Sequence, residues 1–203
     1  MPCVYDKKES SSGAPPAPVR ETRASIPGNA KFSYKKYYPI RRMLFSKFGS
    51  FSKLGEKFKS DMRIQGAAQL LMFGDTQPAI VCSAEPLLVA AYSDEMDAVV
   101  MLKFPSDLVS MYDLRIGTRL VTSNYYAPKD EPFAKDVFVG KDCSNNWNDF
   151  YPIVQLFIAK NDEKIKKRTE LFDEELWAKV ERLAADYLNE HPDTARDGFF
   201  YLR

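Results

Sequence analysis

Histidine is the scarcest useful residue of this chain: His191 is the one copy in 203 residues. A Ser-His-Asp or Cys-His arrangement would have to recruit this single ring, which stands beside Pro192 at the end of a predicted helix. A zinc centre would need it together with scattered cysteines and carboxylates. Cysteine is nearly as rare. Cys3, Cys82 and Cys143 are too few and too widely spaced for a disulfide framework or a Cys-based zinc site, which fits a reducing compartment. Long apolar runs are missing as well: stretches such as Leu87 to Tyr92 fall far short of a bilayer span. The N-terminal MPCVYDKKESSSGAPPAPVR has charges and prolines where a secretory signal needs an apolar core. The expected setting is therefore cytoplasmic, without a transmembrane segment.

Cofactor signatures are absent too. Gly140, Lys141 and Asp142 do not make a phosphate loop, because the upstream glycine and the Ser or Thr after the lysine are missing, and no dinucleotide fingerprint occurs. No cofactor and no metal are expected. Cys82 lies in an apolar strand pattern and reads as a buried, inert thiol. Cys143, near Lys141 in a predicted loop, is the thiol to test for reactivity, although activation needs a base that the sequence hardly supplies.

What the chain does have is a charge reversal. Residues 31–60 hold nine basic residues, Lys31, Lys35, Lys36, Arg41, Arg42, Lys47, Lys53, Lys57 and Lys59, against the one acid Glu56, and interleave them with eight aromatics. Residues 61–203 count sixteen basic groups against twenty-four acidic ones. A near-neutral total thus conceals a basic, aromatic segment joined to an acidic body. Such a segment meets something anionic: a nucleic acid, an acidic lipid surface, or the protein's own body.

Residues 1–30 carry Ser10, Ser11, Ser12, Gly13, Pro15, Pro16 and Pro18 with few large apolar side chains, so burial cannot offset their ordering entropy and a flexible tail is expected. From Ile40 the residues Leu44, Phe48, Phe51, Leu54 and Phe58 recur on one helical face. Gly49 and Gly55 argue for two short helices joined near Gly49 as readily as for one. The runs Ala79 to Ser83, Leu87 to Tyr92 and Ala98 to Phe104 predict an antiparallel meander. Ser106 is placed to cap a short helix through Tyr112, and strands are expected at Thr118 to Tyr126 and at Ile153 to Ile158. Near the C-terminus, Asp173 is a good N-cap, Phe172 can staple against Trp177, and Leu176, Val180, Leu183, Ala184, Tyr187 and Leu188 trace one apolar face up to Pro192. The expected architecture is α+β: one domain over residues 31–203, with a mostly antiparallel sheet of about five strands packed by a C-terminal amphipathic helix.

Three places can carry function. In the basic segment, Lys35, Lys36, Tyr37, Tyr38, Arg41, Arg42, Phe48 and Phe51 are the candidate partner-binding residues: cations for phosphates, rings for bases, or an amphipathic helix for an anionic membrane or a groove. The competing reading is a core helix whose apolar stripe packs on the sheet. The acidic turn Asp94, Glu95 and Asp97 reads as a solvated hairpin turn, because it lacks the ligand number and glycine spacing of a calcium loop. The stretch 142–149 is dense in polar side chains beside one Trp, so Asn145, Asn146, Trp147 and Asn148 are a candidate ligand loop. Its bland reading is a turn anchored by Trp147, Phe150 and Tyr151.

The expectation for function is a non-enzymatic interaction or regulatory module that engages a macromolecular partner, or a second copy of itself, through residues 31–60. Nucleic acid or an anionic membrane is the alternative partner. An enzyme that uses carboxylates alone, such as Asp142 with Asp149, is the less favoured reading.

Overall fold

The unbroken apolar runs of the middle of the chain are strands covered on both faces, which is why they lack the alternation of a half-solvated sheet. The computed structural model describes residues 24–45, 53–127, 134–144 and 146–202, and of residues 45 and 53–62 the backbone alone. Helix α1 (Tyr34–Phe45) and the long helix α2 (Lys53–Phe73) precede the strands β1 (Asp75–Ala84), β2 (Leu87–Ser93) and β3 (Ala98–Phe104). Then follow α3 (Asp107–Tyr112), β4 (Arg119–Ala127), β5 (Phe138–Val139), β6 (Asp149–Val154), α4 (Gln155–Ile158), α5 (Asp162–Lys167), α6 (Glu174–Glu190) and β7 (Arg196–Asp197).

The architecture is α+β, with a mostly antiparallel, curled sheet in the order β5-β3-β2-β1-β4-β6 and β7 alongside β3 in parallel. Strands β1 to β4 fall on the four expected runs, the fifth, β6, only partly overlaps its expected one, and β5 and β7 add two residues each. Along β2 the residues Leu87, Val89 and Ala91 face the inner core, and Ala90 and Tyr92 the outer one. Val100 and Leu102 of β3 point inward while Val99 and Met101 point outward. The inner core is filled by Phe104, Phe150, Phe157 and Phe199 and closed by Ile40 of α1 and Ile64 and Leu71 of α2. The outer core is Val180, Leu183, Ala184 and Tyr187 of α6 laid on the sheet. That helix begins as read from the sequence: the Asp173 carboxylate accepts from the Leu176 N–H at 2.8 Å, and the Phe172 and Trp177 rings meet edge to face at 5.9 Å.

Curling brings the two sheet edges within reach of one side chain. Arg196 on β7 donates to the Phe150 carbonyl of β6 at 2.8 Å, pairs with Asp149 at 2.8 Å, and grips Asp136 with two nitrogens at 2.5 and 2.7 Å. Burial opposes its charge, yet the Asp136 and Asp149 carboxylates outweigh that and hold the guanidinium above its usual range.

Several local expectations need correction. Ile153 to Ile158 is not one strand: β6 ends at Val154 and α4 follows. A run apolar on every side carries no period to separate strand from helix. Ser106 stands at the N-cap of α3 but makes no side-chain cap bond; its carbonyl accepts from the Val109 N–H at 2.9 Å. Helix α2 continues to Phe73, well past the apolar stripe that revealed its start. The acidic turn joins β2 to β3 but is not solvated throughout, since Met96 and Asp97 are buried. Residues 24–30 are bonded to the body: Gly28 N–H donates to the Gly74 carbonyl, Ala30 N–H to that of Leu71, and Pro27 bridges to Asp75. The remaining residues of the expected tail, 1–23, lie outside the described residues.

Candidate partner-binding surface

Helix α1 divides its residues between two jobs. Its first intrahelical bonds run from the Lys36 and Tyr37 N–H groups to the Ser33 carbonyl, and Pro39, which has no N–H to give, sits on the exposed side. Tyr37 and Ile40, 3% and 1% exposed, face the core with Leu44 packed behind them. Lys36 also faces inward. Its ammonium pairs with Asp162 at 2.7 Å, donates to the Leu156 carbonyl, and stands 5.3 Å from the centre of the Tyr112 ring. Burial lowers its affinity for the proton, and Asp162 opposes that effect. Lys36 and Tyr37 thus tether the helix.

The other face of α1 points to solvent. Tyr34 and Tyr38 are 52% and 55% exposed, Lys35 and Arg42 are exposed, and Arg41 is half-buried. Lys35, Tyr38 and Arg42 follow at spacings of three and four, so they share one stripe. None of Lys35, Arg41 and Arg42 forms an ion pair with another described residue. The exposed rings rest on buried ones: Phe32 meets Tyr34 at 5.2 Å, Tyr37 meets Tyr38 at 5.4 Å, and Tyr34 and Tyr38 lie 6.3 Å apart. Ordering them for a partner therefore costs little side-chain entropy. Phe48 and Phe51 lie outside the described residues.

A second basic element adjoins α1, and the sequence reading passed over it. The Ser33 N–H donates to the Ile158 carbonyl and the Lys160 N–H to the Lys31 carbonyl, both at 2.8 Å. This lays the start of α5 beside the start of α1. Helix α5 is capped by Asn161, whose side chain accepts from the Lys164 N–H at 3.1 Å. Lys160, Lys164, Lys166 and Lys167 are exposed. Arg168 is not available, because it donates to the Gln155 side chain and to the Pro27 and Gly28 carbonyls. The signal was present as a basic island at 160–168 inside the acidic remainder; averaging charge over 61–203 hid it.

The Asn-rich loop lies against the acidic hairpin at the far end of β2 and β3. Ser144 donates to the Glu95 carbonyl, Trp147 packs on Tyr126 at 5.5 Å, and Asn148 is buried with Asp149. Asn146 is exposed, and Asn145 lies outside the described residues. Beneath the loop the Gln77 amide donates to Asp75 and to Asp94, each at 2.6 Å. Asp75 accepts further bonds from the Ile26 N–H and the Tyr126 hydroxyl, both at 3.2 Å. Burial pushes the Asp75 carboxyl up, and burial followed by the charges of Asp94 and Asp75 does the same to Glu95. Asp97 is held down by Lys179 at 2.7 Å, the Asp142 N–H at 2.8 Å and the Tyr92 hydroxyl at 2.9 Å, which together overcome burial, the largest single influence.

Each carboxylate here is satisfied by groups of the fold. Asp142 and Asp149 are held by different cations, Lys179 at 3.1 Å and Arg196 at 2.8 Å. Among the described residues no group of three His, Cys, Asp or Glu side chains is placed to hold a metal ion, and no helix is long and apolar enough to cross a membrane. The Cys82 thiol is pushed up to about 11 by burial. Comparison of the chain with protein-family models, with curated proteins and with solved structures yields no match.

Proposed function

We propose that this protein is a non-enzymatic interaction module that engages a macromolecular partner through the exposed cationic and tyrosine-bearing face of α1. One observation carries the reading: the helix spends Lys36, Tyr37 and Ile40 on docking to its own body, yet leaves Lys35, Tyr38 and Arg42 exposed on a single stripe. Cations side by side that have no ion pair among the described residues repel one another, and that repulsion is relieved when an anionic surface arrives. Docking on the protein's own acidic body accounts for Lys36 through Asp162, whereas no ion pair among the described residues does the same for the outer stripe. The scarcity of cysteine supports a reducing, cytoplasmic setting.

The test is retention on an immobilised polyanion. The parent protein is expected to bind heparin resin at low salt, and Lys35→Glu with Arg42→Glu to elute at clearly lower salt while keeping its far-ultraviolet circular dichroism. Equal elution of the two proteins would place function elsewhere than α1.

A further inference from the structure

We infer that the partner of this surface is a single-stranded nucleic acid, its bases stacked on Tyr34 and Tyr38 and its phosphates carried from Lys35 and Arg42 of α1 across to Lys160 and Lys166 at α5. The inference rests on the reading of α1 as the partner-binding face and adds to it the class of partner and the second half of the site. Continuity of the track is built into the backbone. The Lys31 carbonyl accepts from the Lys160 N–H at 2.8 Å, and Lys166 is close enough to Lys36 for its charge to weaken proton binding there. Of the two acids in the first turn of α5, Asp162 is already taken by Lys36 at 2.7 Å, and the exposed Glu163 is outnumbered by Lys160, Lys164, Lys166 and Lys167.

The rings decide between kinds of anion. Phosphate or carboxylate alone would be met by Lys and Arg. Here two aromatic faces, each more than half exposed, stand among the cations and are braced from below by Phe32 and Tyr37. Flat, rigidly held rings between cations suit bases that are free to stack, which are those of a single strand. An anionic membrane would ask for an apolar wedge. Among the described residues, Ile40 and Leu44 of α1 and Ile165 of α5 pack inward instead, and the exposed rings Tyr34 and Tyr38 carry hydroxyls.

The experiment is fluorescence anisotropy of a labelled oligothymidylate of about twelve nucleotides with the full chain. If about four phosphates are neutralised on a single strand, affinity should fall about 50-fold between 50 and 200 mM salt. Tyr34→Leu with Tyr38→Leu keeps apolar cover over Phe32 and Tyr37 but removes the stacking faces, and should weaken binding at least about 5-fold per ring. The corresponding Phe variants should bind like the parent. Lys160→Glu with Lys166→Glu should weaken binding and flatten the salt response. Heparin retention that depends on Lys35 and Arg42 without any binding of the oligonucleotide would overturn this inference and leave the module reading intact. So would Leu variants that bind as the parent does, or preferential capture by vesicles of phosphatidylserine and phosphatidylcholine. Unchanged affinity in the α5 variant would overturn the two-helix track. Loss of the Lys35 and Arg42 dependence on heparin would remove the reading beneath it.

Discussion

Replacing Arg196 by Met should be among the most damaging single changes in the chain, because this guanidinium joins the two edges of the curled sheet. Its side chain is 16% exposed, and its partners Asp136 and Asp149 are 28% and 12% exposed. Removing one member of a buried ionic group leaves the others desolvated and unpaired, a loss of about 3–5 kcal/mol. Asp136 is the better solvated carboxylate, so the lower end, about 3 kcal/mol, is expected, with the Phe150 carbonyl losing a donor as well. For a chain of this size that corresponds to a drop in Tm of about 6–12 °C, read by circular dichroism. Arg196→Lys keeps the charge but gives up the two-nitrogen grip on Asp136 and should lose about half as much. The triple variant Arg196→Met, Asp136→Asn, Asp149→Asn carries no stranded charge and should be more stable than Arg196→Met alone. Acid titration supplies an independent check. Hydrogen bonding to Arg196, ahead of burial, holds the Asp136 carboxyl below the usual carboxylate value of 3.8. Its contribution is therefore present above about pH 3.8 and is lost as pH falls through the lower folded value. That component of acid destabilisation should shrink in Arg196→Met. A Tm within about 2 °C of the parent, or a triple variant no better than the single one, would refute the clamp.

Two further outcomes follow from buried titrating groups. Gln77→Leu strips the shared amide from Asp75 and Asp94 and should cost about 1–3 kcal/mol at neutral pH. Burial already raises the Asp75 carboxyl; a raised folded value means stability is full below the unfolded value and lost as pH rises through the folded one, so the deficit seen by urea unfolding should grow from acid to neutral pH, and a deficit independent of pH would contradict the assignment. In alkali, burial and then Asp162 push Tyr112 up to about 12, while burial raises Tyr92 and Tyr126 further, the carboxylates Asp97 and Asp75 adding to it. Raised phenols stabilise fully below the unfolded value of 10.0 and cease to do so as pH passes the folded values, so tyrosinate absorbance from these three should appear together with loss of circular dichroism. Their ionisation in a still folded chain would overturn the burial argument.

Much of the fold was legible in the sequence because local chemistry specified it. The α6 stripe and its Asp173 cap need only the helical period and one carboxylate. The hairpin of β2 and β3 needs only two apolar runs and a polar turn. Ile153 to Ile158 was misread because an apolar run surrounded by core looks alike in either conformation. The turn at Asp97 was misread for another reason. Its partners Lys179 and Asp142 are distant in sequence, and a carboxylate cannot announce a cation that arrives from another element.

The candidate surface divides in the same way. The sequence alone determined that residues 31–60 concentrate cations and aromatics, that one histidine stands in the whole chain, and that the domain is α+β, since composition and period are properties of the chain itself. Tertiary structure alone decided that Lys36 and Tyr37 serve the fold while Lys35, Tyr38 and Arg42 face outward. It alone laid the lysines of α5 beside α1 through the bond from Lys160 to Lys31, and it alone carried the two sheet edges to Arg196. The physical reason is common to all three. Helical phase and turn chemistry act over a few residues, whereas ion pairing and burial act through space, and separation along the chain says nothing of separation in the fold.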